Sequence, residues 1–180
     1  MFNKIFKSPL VRVCARYGTI AGAACMLFLV SLFYMEKHPF LLNPFVDYRV
    51  PLFAVLIFFS LKEVRDYYQG GILHFWQGTG GSIILVAVCS LIAALGIMIF
   101  GSIQPRFLTD YINEFSKQIQ NLPAETVKQI GKDVVEENLK KLPTTTISAL
   151  ARLYVWQSFV MGFFISVIIS VILRRQPSNQ

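Results

Sequence analysis

From Ser82 to Ile103 the chain runs without a single charged residue, and few folds are open to a run of that kind. About 20 apolar residues in helical form cover the hydrocarbon core of a bilayer. Inside lipid every backbone amide must find its partner within its own segment, so the run reads as a transmembrane helix. Arg16 to Met35 and Ile147 to Leu173 read the same way. A fourth candidate is shorter: its purely apolar part is only Val50 to Leu61. To cross, that helix must take in Asp47 and Arg49 at one end and Lys62, Glu63 and Arg65 at the other. The expectation is an all-α protein, an integral membrane four-helix bundle in a single domain over 1–180. Its spans fall at about 16–35, 46–65, 82–103 and 147–173.

Composition supports a lipid environment. Charged residues make up 15% of the chain, against roughly 25% in an average soluble domain, and mean hydropathy is +0.55. The net charge of +7 would in a soluble protein suggest nucleic acid, but its distribution follows the spans instead. Lys4, Lys7, Arg12, Arg16, Lys62, Arg65, Arg174 and Arg175 lie on the side holding both termini, against Glu63 and Asp66 there: eight minus two, or +6. The opposite side has nine basic and eight acidic residues, or +1. Basic residues near the spans mark the cytoplasmic face. Both termini and the connection 66–81 are therefore expected in the cytoplasm, with no nucleic-acid partner. The apolar run after Arg16 lacks a small-x-small cleavage site and reads as an uncleaved anchor.

The connections have their own patterns. Glu36 to Tyr48, with Pro39 and Pro44, is expected as an interfacial loop in which His38 is solvated. Gly70 and Gly71 are expected to close the second helix, since glycine enters the left-handed conformation that ends a helix. Gly78-Thr79-Gly80-Gly81 is expected to break a short interfacial segment and lead flexibly into the third span. It lacks the lysine and the strand context of a phosphate-binding loop. In the insert 104–146, Phe107, Tyr111 and Phe115 lie on one apolar stripe, and Pro123 starts a second helix. This predicts a periplasmic pair of amphipathic helices. Thr144 to Thr146 supply N-cap candidates for the last span. There Ser158, Gly162, Ser166 and Ser170 recur every fourth residue, a small-residue face that lets another helix approach closely.

The chemistry-bearing residues are sparse. Cys14, Cys25 and Cys89 are far apart in sequence and unaccompanied by histidine, so neither a disulfide framework nor a metal site is expected. His74 and His38 stand on opposite sides of the membrane and assemble no catalytic constellation. Glu63, Arg65 and Asp66 form a compact charged set at the cytoplasmic end of the second span. They suit docking of a partner or an anionic lipid, or simply fix the depth of the helix.

At that connection Lys62-Glu63-Val64-Arg65-Asp66, then Gly70-Gly71-Ile72-Leu73 and Phe75, resembles a short bacterial family of unknown function found in Bacteroidetes. The resemblance implies four spans, a polar helical segment before the last one, a cytoplasmic-membrane location and no assigned catalytic residues. Taken together, the expected role is an accessory or scaffold subunit, with no cofactor and no enzymatic activity. It would bind another membrane or envelope protein, or itself, within the lipid bilayer. The candidate interaction residues are Glu63, Arg65, Asp66, Gly70, Gly71, Phe107, Tyr111, Phe115, Ser158, Gly162, Ser166 and Ser170. The alternative is lipid or small-solute handling by a homo-oligomer, with the charged ends of the short second span marking the path.

Overall fold

The computed structural model describes residues 8–42 and 47–174; the expectations for Lys4, Lys7, Pro44 and Arg175 lie outside them. Among the described residues seven α-helices follow in order: α1 (Pro9–Tyr34), α2 (Arg49–Glu63), α3 (Phe75–Ile103), α4 (Arg106–Gln120), α5 (Ala124–Ile130), α6 (Lys132–Lys141) and α7 (Ile147–Leu173). Three of them, α1, α3 and α7, are long and apolar enough to cross a membrane. At 15 residues, α2 spans only about 22 Å at 1.5 Å per residue, short of a ~30 Å hydrocarbon core.

Local chemistry sets the ends. Pro9 opens α1, where its missing N–H is no loss. Glu36 takes the left-handed position after α1 (φ 58°), and the Lys37 N–H donates to the Leu32 carbonyl at 3.1 Å to close the end. Below α2 the chain widens into one π-helical turn, Val64–Tyr68. Gly70 and Gly71 end it with φ of 59° and 86°, and the Gly71 N–H donates to the Arg65 carbonyl at 2.8 Å. The Thr146 hydroxyl caps α7 by accepting from the Ala149 N–H at 3.3 Å.

Two expectations are corrected here. Gly78, Thr79, Gly80 and Gly81 do not break the chain; they lie inside α3, which begins at Phe75. Gly78 and Gly81 are buried there because neighbouring helices come close: a Cβ at Gly78 would meet Ser170 Oγ at 2.9 Å, and one at Gly81 would meet Cys14 Sγ at 2.9 Å. The insert is not two helices but three, because Gly131 (φ 97°) separates α5 from α6 where a continuous helix after Pro123 was expected.

Contacts between small residues also fix the directions. Against α3, Gly18 of α1 faces Leu85, Gly22 faces Cys89 and Ile92, and Met26 faces Gly96. Both numbers rise together, so α1 and α3 are parallel. Along α7 the order reverses: Ser170 meets Gly78, Gly162 meets Val86 and Ile147 meets Gly101. Thus α3 is the central helix, flanked by a parallel α1 and an antiparallel α7. The start of α1 and the end of α7 share one end of the bundle, the proximal end; α4, α5 and α6 sit beyond the other, distal end. Lipid offers no hydrophobic drive between helices, so such close backbone approach supplies the packing energy. Helix α2 lies across α1 and α7, touching α3 little. It fills that space with Phe53, Ile57 and Leu61, all 0% exposed.

Candidate functional site: the two ionic ends of a short helix

At the start of α2 the Asp47 carboxylate turns back on the helix. It accepts the Arg49 N–H at 2.9 Å and grips the guanidinium through both oxygens, with Nε at 2.9 and 3.0 Å. Asp47 and Arg49 are too close in sequence to share a helix face. They pair nonetheless because Asp47 lies before the helix rather than in it. Arg49 Nη2 also donates to Gln157 Oε1 at 3.0 Å, Nη1 reaches Ser158 Oγ at 3.5 Å, and Cζ stands 4.8 Å from the Tyr154 ring centre. The two side chains keep only 8% and 11% of their exposure. Tyr154 is itself buried, and its hydroxyl has no hydrogen-bond partner among the described residues. Cys25 and Cys89 lie close by, with sulfurs 3.8 Å apart.

The depth of this cluster corrects the sequence reading, which put both charges at the outer end of a span. Ser158 is about 17 Å along α7 from Ile147 at 1.5 Å per residue, in a helix of 27 residues. Tyr48 stacks on Phe28 with ring centres 5.5 Å apart, well before α1 ends at Tyr34. Helix α2 therefore starts deep within the bundle, and its ion pair sits near mid-height. Burying such a pair is tolerable only with complete hydrogen bonding; Gln157 and Ser158 help to provide it.

At the other end, Glu63 accepts from Arg16 Nη2 at 2.7 Å through each oxygen and from the Tyr17 hydroxyl at 3.0 Å. Glu63 thus clasps the end of α2 onto α1. Arg65 and Asp66 pair with each other at 2.7 Å. Beside them an open cleft of about 570 Å³ is lined by Tyr17, Phe59, Lys62, Glu63, Asp66, Tyr67 and Tyr68. Gly70 and Gly71 form the turn just after it.

The remaining candidates lie elsewhere, and most face inward. Phe107 (0% exposed) and Tyr111 (7%) are roofed into an aromatic cluster at the distal end, where Phe115 stacks on Tyr111 at 5.6 Å. His38 belongs to this cluster and is buried, not solvated as expected. Its Nε2 meets the Phe107 carbonyl at 3.0 Å, its ring lies 4.9 Å from Phe107 and 5.3 Å from Tyr111, and desolvation holds its pKa below the usual histidine value. Ser158, Gly162, Ser166 and Ser170 are all buried, their face used by the chain's own helices. Among the described residues no group of three or more His, Cys, Asp or Glu could hold a metal ion.

Sequence reasoning missed the inner ion pair as a centre. The available signal was an Asp and an Arg flanking an apolar run too short to cross, together with Gln157 and Ser158 in an otherwise apolar span. Residues 16–175 match the family described as Protein of unknown function (DUF4199). The chain belongs to that family. No curated protein and no solved structure matches it. The family match takes in α2 with both of its ionic ends, all of α3 to α7, and most of α1.

Proposed function

We propose that this DUF4199 protein crosses a bacterial cytoplasmic membrane four times and handles a small anionic or zwitterionic solute, with α2 as the element that opens or closes its route. Direction rather than length supports four crossings: α1 and α3 are parallel, so with both in the bilayer the chain between them returns, and the connection leading into α2 completes what the short helix cannot. The excess of basic residues near the proximal end favours that end, with both termini, in the cytoplasm.

The observation that carries the reading is the Asp47–Arg49 pair, buried near mid-height. Ionisable groups at that depth are expensive and mark ion or substrate pathways. A solute carboxylate competes with Asp47 for the guanidinium, and release of Asp47 loosens the start of α2. Phe53 and Ile57 plug the way toward the proximal cleft, and the Arg16–Glu63 clasp holds the far end of the helix. An accessory-subunit role would have used the aromatic stripe of α4 and the small-residue face of α7, and both are spent on internal contacts.

The test is thermal unfolding of the purified protein against a panel of small carboxylates and amino acids, followed by uptake into liposomes for any solute that binds. At a hundred times its Kd, a ligand stabilises by about 2.7 kcal/mol. Wild type should respond to at least one solute. The double variant D47N/R49Q, which removes both charges together so that neither is left buried alone, should remain folded and lose the response. Equal responses from both proteins, or none across the panel, would remove the reading.

A further inference from the structure

A second feature lies on the outer flank of the bundle, away from α2. Between α3 and α7, Ala94 and Ala151 are too small to fill the space, and a groove of about 650 Å³ runs between the helices. Its walls are Met98, Val155, Trp156 and Phe159, and its mouth holds Ser148 and Arg152. Trp156 is 70% exposed. Arg152 is exposed too, and it takes part in no ion pair or hydrogen bond among the described residues.

The positions along α7 decide what fits. Arg152 lies about 8 Å from Ile147 along the axis at 1.5 Å per residue, with Trp156 one turn deeper. With α3 and α7 crossing a bilayer, the first turn of α7 is at headgroup level and Arg152 reaches the phosphate layer by snorkelling, while Trp156 lines the groove at acyl-chain depth. A guanidinium on a lipid-facing surface needs an anion, because leaving it unpaired in hydrocarbon is costly. Its planar fork matches a phosphate. Below the cation the walls are almost wholly apolar, which suits an acyl chain and not a free phosphate. A second copy meeting this face across a two-fold axis would bring Arg152 against Arg152, a like-charge contact.

We infer that the α3–α7 groove is a binding site for one anionic phospholipid of the distal leaflet, its phosphate on Arg152 and an acyl chain along Ala94, Ala151, Val155 and Phe159. The site is separate from the ion pair of α2 and independent of the solute reading.

Trp156 reports on it directly once the other tryptophan is removed. In a W76F background, fluorescence quenching is compared in vesicles of brominated phosphatidylglycerol and of brominated phosphatidylcholine, each mixed with its unbrominated counterpart and with the other lipid. The expected result is a preference for the anionic lipid at Trp156 of about fivefold or more, abolished in R152Q and partly kept in R152K. R152Q alters an exposed residue, so helical content by circular dichroism should be unchanged. Equal quenching by the two lipids in W76F, or an undiminished preference in R152Q, would overturn the assignment.

Discussion

His38 shows how one side chain can tie a loop to a distant helix through its charge state. The ring is matched as neutral imidazole: Nε2–H donates to the Phe107 carbonyl at 3.0 Å, while Nδ1 accepts a longer bond from the Phe40 N–H at 3.4 Å. Protonation would put a charge among Phe40, Phe107 and Tyr111, and burial depresses the pKa for that reason, partly offset by the Phe107 carbonyl and Asp110. A histidine depressed in the folded state binds its proton more readily once unfolded. Its contribution is therefore complete above the unfolded value of about 6.5 and is lost as pH falls through the lower folded value. We predict that the thermal midpoint drops between pH 7.5 and pH 5 by more in wild type than in H38F, which fills the aromatic pocket without titrating. Identical pH profiles would show that His38 does not couple to folding. This burial was not legible in the sequence, because the residues that cover His38 stand about 70 positions away and Pro39 beside it suggested only a loop.

Two glycines in the long helices separate the roles this residue plays there. At Gly162 a Cβ would meet Val86 Cγ2 at 2.5 Å and Cγ1 at 2.7 Å, so the α3–α7 contact depends on its absence. Overpacking of this kind costs about 1–3 kcal/mol. At Gly80, within helical α3, a Cβ meets nothing within 4 Å, and alanine is better than glycine in a helix interior by roughly 1 kcal/mol. G162A should therefore lower the thermal midpoint in detergent and G80A should raise it slightly; the reverse order would contradict the helix contacts described above. The same contrast explains which elements could be read in advance. The approximate bounds of α7 were legible, since Thr144 to Thr146 offered caps for its start, of which Thr146 serves, and the apolar run stops at Arg174. The start of α3 was not: Gly78 to Gly81 has the composition of a breaker, and only the approach of Ser170 and Cys14 reveals that two of those glycines serve packing. Gly131 carried the opposite surprise, a real break in a segment whose apolar spacing continues across it.

For the whole molecule the decisive feature is direction. Hydropathy marks three helices long and apolar enough to cross a membrane and leaves α2 ambiguous, because no property of a 12-residue apolar run says whether the chain returns through it. The parallel course of α1 and α3 favours the return through α2 proposed above, and it can be tested without knowing any ligand. Phe33 and Phe100 lie together near the distal ends of the two helices, ring centres 5.4 Å apart. In a background where Cys14, Cys25 and Cys89 are replaced by serine or alanine, F33C with F100C should be joined by a short bifunctional thiol cross-linker. The control, F33C with S82C, should not, because Ser82 lies near the proximal end of α3, about 27 Å from Phe100 along the axis at 1.5 Å per residue. Cross-linking is read as a mobility shift on non-reducing gels and confirmed by mass spectrometry of the linked peptides. If the second pair linked instead of the first, α1 and α3 would be antiparallel and no return through α2 would be needed. The Asp47–Arg49 pair would then no longer be carried to mid-height between α1 and α7, and the solute route built on it would fail with the topology.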